Sequence, residues 1–330
     1  MTSTRKISYV AIVALVAILY FVIFLLNVNG VLGNYELGIM NFICINIILA
    51  VSLNITVGCL GQITLGHAGF MSIGAYAASL FVKSGVLTGL PGYLVSLLVG
   101  GVIALGVGII IGIPGLRLKG DYLAIITLAF GEIIRTLIEY FDFTGGAQGL
   151  TGIPRYRDFT TIFVITVLSV MFMYSIMTSR HGRAVLAIRE DEIASDAVGV
   201  NTTYYKVFAF ALSAMFAGIA GGMYAQNMGN ITARYFDYNN SINILVMVVL
   251  GGMGSFTGAT ISAIVLTILP EMLRTFADYR MIIYALVLII MMIFRPTGLL
   301  GRKEFQITKI IDFIKIKIKG SDKAGGQLNE

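Results

Sequence analysis

"SINILVMVVLGGMGSFTGATISAIVLTILP", residues 241–270, is an apolar run broken at its centre by closely spaced glycine and hydroxyl residues, "GGMGSFTG" at 251–258. As one helix at 1.5 Å per residue it would be about 45 Å long, far beyond a hydrocarbon core of about 30 Å. Whether it is one membrane-crossing helix or two half-helices therefore decides the topology.

That the setting is a membrane follows from composition. The 330 residues are 57% apolar and 12% charged, where a soluble domain carries about 25% charged residues. Nine apolar segments reach or approach spanning length, at about 7–26, 37–57, 65–82, 91–113, 121–140, 159–177, 205–226, 241–270 and 279–295, and they leave no room for a separate soluble domain. The first follows Arg5 and Lys6 but is about 20 residues long without a small-residue cleavage site, so it reads as an anchor rather than a signal peptide. The two cysteines, Cys44 and Cys59, lie in or beside the second segment, without the spacing of a disulfide framework or metal site. The net charge of +6 sits in short loops and the tail, where membrane topology rather than nucleic acid accounts for it.

Parity sharpens the question. With Arg5 and Lys6 inside, successive crossings place Arg117, Lys119, Arg180, Arg183 and Arg189 inside as well. Nine crossings would put the tail outside, yet residues 302–323 hold Arg302, Lys303, Lys309, Lys315, Lys317, Lys319 and Lys323 against three acids. The expectation is an all-α polytopic membrane helix bundle with about eight full crossings, 241–270 entering and leaving from the outer side as a broken pair, and both termini cytoplasmic. Residues 1–301 form the membrane domain and 302–330 a basic cytoplasmic tail whose Ile/Lys pattern suits anionic lipid.

A second interruption, "GCLGQITLGHAG" at 58–69, follows Asn54 and places Gln62, Thr64, Gly66, His67 and Gly69 at membrane depth. Irregular backbone there is tolerated only where it is buried in protein or lines a water-filled cavity, and Gly-broken segments in the two halves of a transporter point to its substrate path. Asn54, Gln62, Thr64, Gly66, His67 and Gly69, with Gly251, Gly252, Gly254 and Ser255 of the other break, are candidate path residues. Close packing is the competing explanation, and it is the better one for Ala214, Gly218 and Gly222 at four-residue spacing.

Five ordered stretches, "GQITLGHAGFMSIGAYAASL", "GDYLAIITLAFGEIIRTL", "TGGAQGLTGIP", "GRAVLAIREDEIASDAVGV" and "SINILVMVVLGGMGSFTGA", resemble the LivM-type permease of branched-chain amino acid ABC importers, over residues 37–301. The resemblance implies a cell-membrane subunit that moves branched-chain or related amino acids by alternating access. It also implies a second, LivH-like permease, two cytoplasmic ATP-binding subunits and an extracytoplasmic substrate-binding protein as partners. The chain itself lacks a P-loop: the nearest imitation, "GLRLKGD" at 115–121, has Asp121 where the lysine belongs. ATP is then used by partners, with no cofactor or metal held by this chain, and no nucleophile–base constellation suggests an enzyme.

The longest inside loop, 179–206, is the docking candidate. Asp191, Ala194, Ala197 and Val198 recur at helical spacing, and ABC importers resemble one another in offering such a coupling helix to the ATPase. Arg189, Glu190, Asp191, Glu192, Ala197 and Gly199 are the coupling candidates; Ile193 after Glu192, and Gly199 one position late, depart from the usual Glu-Ala-Ala…Gly pattern. Glu132 falls about 16 Å into the segment that starts at Asp121, and Arg135 and Glu139 share its helix face. These charges either line or brace the path, or join two permease subunits as an ion-pair network. A urea or short-amide permease is an alternative, as is an ion-coupled transporter acting alone, which the Glu132–Arg135–Glu139 face would support.

Overall fold

The computed structural model describes residues 17, 18, 20–26, 29, 33–118, 120–276, 279–294, 298, 299 and 301. The chain divides into two units, Met1–Leu37 with Lys303–Glu330, and Gly38–Arg302. In the first, residues 20–26 are helical; most of the expected 7–26 anchor and the 302–330 tail lie outside the described residues. The second carries everything below.

Its helices are α1 (Asn34–Asn54, beginning in the first unit), α2 (His67–Lys83), α3 (Gly89–Gly115), α4 (Asp121–Tyr140), α5 (Phe159–Thr178), α6 (Arg180–Glu190), α7 (Glu192–Ala197), α8 (Thr202–Met228), α9 (Tyr238–Gly251), α10 (Phe256–Met272) and α11 (Arg280–Phe294). A π turn, Ile55–Cys59, extends α1. Among the described residues four helices, Asn34–Cys59, Gly89–Gly115, Phe159–Thr178 and Thr202–Met228, are long and apolar enough to cross a membrane. Among the described residues the extended pairing is limited to an isolated bridge, Leu150 with Ile231. The all-helical membrane bundle is therefore as the composition requires.

The helix starts are written locally. Side chains of Asp158, Ser179, Asp191, Asn201, Asp237 and Ser255 each accept a backbone N–H of the helix they precede, beginning α5 to α10 in turn. Each such cap satisfies a donor that helix geometry leaves orphaned and contributes about 0.5–2 kcal/mol. The run 241–270 is interrupted as its length demands: α9 ends at Gly251, α10 starts at Phe256 after the Ser255 cap, and the two short helices pack as a hairpin. Gly251 meets Gly258 backbone to backbone, and the Ser262 hydroxyl donates to the Met247 carbonyl.

The centre of the bundle is α8, packed on α2 and α3. Its Ala214, Gly218 and Gly222 do close the packing: Gly218 lies on the backbone of Gly100 and the Ala104 methyl of α3, and on Gly74 of α2. Dispersion contacts and close backbone approach replace the hydrophobic drive that is weak between helices in lipid.

The bundle has two polar ends. At one, the loop 150–157 folds over the C-terminus of α8. Leu150 and Ile231 exchange backbone bonds, Tyr156 N donates to Gln226 O at 2.9 Å, Arg157 Nε donates to Asn227 O at 2.9 Å, and Lys83 Nζ donates to Thr151 O at 3.0 Å. The loop is thus tied down by backbone and cationic bonds. The other end holds the two helix interruptions.

Candidate functional site

At that second end the π turn after α1, the α9–α10 tip and the end of α6 converge. Asn54 is fully buried and joins the two interruptions with one amide: its Oδ1 accepts from Gly254 N at 2.9 Å and its Nδ2 donates to Ser255 O at 3.1 Å. A tip with φ of +95° at Gly254 leaves its backbone N–H without a helical partner, and the buried amide satisfies that donor and adds a second bond to the Ser255 carbonyl, which also accepts from Ala259 N at 3.1 Å. Gly58 lies so close that a β-carbon on it would collide with Asn54 Oδ1 and with the backbone nitrogen of Gly254. Gly252 approaches the backbone of Gly301, and Leu299 N donates to Leu250 O at 2.7 Å.

The coupling loop reaches the same point. Arg189, in the last turn of α6, donates from Nη1 to Gly58 O at 2.5 Å. Beyond it Asp191 caps α7 through Ala194 N at 2.9 Å. Glu192 pairs at 2.7 Å with Lys206, a lysine only 4% exposed at the start of α8. Gly199 takes a φ of +86° and closes α7 by donating to Asp196 O at 2.9 Å, as a left-handed helix stop does. The helix therefore stands fixed at both ends while its flank is open: Ile193 and Val198 are each 79% exposed, and Glu190, Asp196 and Ala197 are exposed beside them.

Of the other candidates of the first interruption, Gln62 is tied to the π turn by its N–H, which donates to Thr56 O at 3.0 Å, and the rest lie among the helices beyond it. His67 is buried, with Nε2 2.9 Å from Ser52 Oγ, and Ser213 donates to Ser52 O at 2.7 Å, so its ring is held inside the α1–α2–α8 packing. Gly66 and Gly69 lie on the α4 backbone at Thr127 and Gly131, and Leu65 N donates to Thr127 Oγ1 at 3.0 Å. Thr64 is buried, while Gln62 is half-buried and its Oε1 has no hydrogen-bond partner.

The charges of α4 satisfy one another. Arg135 Nε donates to Glu132 Oε2 at 2.7 Å and its Nη1 reaches Glu139 Oε1 at 3.3 Å, with all three side chains between a quarter and a third exposed. Glu132 Oε1 also accepts from Tyr238 N at 3.1 Å, anchoring the start of α9. The i, i+3 and i, i+4 reading of one face holds, and one further partner is a backbone amide that spacing alone does not reveal. Sequence reasoning passed over Lys206 as well, although a lysine entering an apolar helix, in reach of an acidic loop, is the available signal. Among the described residues no group of three or more His, Cys, Asp or Glu is placed to hold a metal ion.

Helices long and apolar enough to span a membrane, with a broken hairpin among them, mark a multi-pass membrane protein. A family model described as "Branched-chain amino acid transport system / permease component" matches residues 35–294, and the chain belongs to that family. It is 35% identical over 313 residues to the high-affinity branched-chain amino acid transport system permease protein LivM of Salmonella typhimurium, covering 83% of this chain and 72% of that protein. It is 35% identical over 301 residues to the Escherichia coli LivM, covering 80% and 69%. The E. coli permease protein LivH is 30% identical over 148 residues, covering 44% of this chain and 48% of that one. No solved structure matches the chain.

Proposed function

We propose that this chain is the LivM-type permease subunit of an ABC importer that carries branched-chain amino acids across the cell (inner) membrane by alternating access. A second, LivH-like permease completes the membrane core, an extracytoplasmic binding protein delivers substrate, and one of two ATPases docks on α6–α7. The carrying observation is the convergence at one end of the bundle: both helix interruptions meet there, and the loop beside them presents a capped, ion-paired short helix with an open apolar flank. Membership of the permease family and the likeness to LivM and LivH support the substrate class and the paired core.

The remaining assignments follow from that arrangement. Residues 179–206 face the cytoplasm, and the α9–α10 hairpin enters from the opposite side with its tip at the cytoplasmic end, giving eight full crossings, both termini inside and a 302–330 tail on the inner leaflet. Asn54, Gln62, Gly251, Gly252, Gly254 and Ser255 shape the inner part of the path, and Thr64, Gly66, His67 and Gly69 support it from the helix packing behind. Glu132, held by Arg135, braces it by fixing α4 to the start of α9. Labelled leucine, isoleucine and valine uptake by cells carrying or lacking this chain, each with the other two and urea as competitors, tests the substrate class. Mutual competition among the three and indifference to urea is the expected pattern; competition by urea alone would overturn it.

A further inference from the structure

Arg189 is half-buried although it belongs to the polar loop, and its guanidinium is spent on backbone rather than on an acid. Nη1 holds the Gly58 carbonyl at 2.5 Å. Its methylenes lie on Gly61, where a β-carbon would fall 2.9 Å from Cγ, and Nη1 is 3.0 Å from the place of a β-carbon on Gly254. One side chain thus covers the end of the π turn, the start of the following irregular segment and the hairpin tip. Carbonyls at a helix C-terminus carry partial negative charge, and a cation placed there is stabilising without a carboxylate. Beneath it, Asn54 fastens the turn to the tip with its two hydrogen bonds.

We infer that Arg189 is a positioning residue: a latch by which the α6–α7 elbow holds the two helix interruptions together, so that movement of the elbow releases the Gly58 carbonyl and lets the inner end of the path open. It rests on the reading of 179–206 as the ATPase-facing loop. Within that reading Ile193 and Val198 supply contact with the partner, whereas Arg189 faces the opposite way and transmits displacement.

The test uses the complete importer, both permeases with ATPases and binding protein, in proteoliposomes. Arg189→Ala is expected to leave ATPase association intact and ATP hydrolysis running, but to make hydrolysis independent of loaded binding protein and to lower leucine transported per ATP roughly tenfold or more, in line with losing a charged hydrogen bond. Arg189→Lys, which keeps a cationic donor without the planar fork, is expected to recover part of the ratio. Should Arg189→Ala fail to assemble, Arg189→Gln is read in its place, with the same loss of ratio expected. An assembled Ala or Gln variant with an unchanged ratio overturns the latch. A separate variant, Ile193→Asp with Val198→Asp, reports on the docking reading: ATPases that stay bound to it overturn that reading, independently of the result at Arg189.

Discussion

Replacing Asn54 by alanine removes the one amide that bridges the two helix interruptions. Asn54 is fully buried, and its loss takes the acceptor at 2.9 Å from Gly254 N–H and one of two donors from Ser255 C=O, which keeps Ala259 N at 3.1 Å. An unsatisfied buried polar group costs about 1–3 kcal/mol and a lost hydrogen bond about 0.5–1.5 kcal/mol, so the change should cost about 1.5–4.5 kcal/mol before any relaxation. At about 2 °C per kcal/mol for a chain of this length, the unfolding midpoint should fall on the order of 3–9 °C. Asn46→Ala is the matched control, because Asn46 makes a single half-buried bond to Thr267 Oγ1 at 2.9 Å and should cost only about 0.5–1.5 kcal/mol. Thermal unfolding of the detergent-solubilised protein reads both. A midpoint for Asn54→Ala no lower than that of Asn46→Ala would refute the idea that this amide fastens the junction.

Three further outcomes follow from the geometry. Gly218→Val should cost at least about 1–3 kcal/mol by overpacking against Gly100, Ala104 and Gly74, whereas Gly106→Ala, with open space at its β-carbon, should be neutral or stabilising; chromatographic homogeneity and unfolding midpoints separate them. Breaking the Glu192–Lys206 pair should be asymmetric: Glu192→Gln strands a lysine 4% exposed, while Lys206→Met leaves a carboxylate one-third exposed that water can reach. The unfolding midpoint should therefore fall further for Glu192→Gln. Arg135→Gln leaves Glu132 and Glu139 facing one another without their shared cation and should lower the yield of folded protein more than Glu139→Gln, which removes only the 3.3 Å contact.

Much of this fold is legible because its rules are local. The break within 241–270 is forced by the mismatch between an apolar run of about 45 Å and a core of about 30 Å. The caps at Asp158, Ser179, Asp191, Asn201, Asp237 and Ser255 are residue types that prefer that position. The Ala214–Gly218–Gly222 spacing announces a close-packed face. Its counterparts Gly74 and Gly100 do not, since nothing in a single helix names its neighbour. The site was less legible for the same reason. Asn54 and Gly254 are 200 residues apart, and Arg189 meets a carbonyl, a partner that every residue offers and none advertises. His67 stood out as a polar residue at depth; its bond to Ser52 links two residues that sequence gave no reason to pair.

The most direct measurement is leucine uptake into proteoliposomes holding this chain, first alone and then with the LivH-like permease, the two ATPases and the binding protein. Uptake only in the complete assembly, and only with ATP inside the compartment that faces residues 179–206, is the expected result. Uptake by the chain alone under an ion gradient would contradict it.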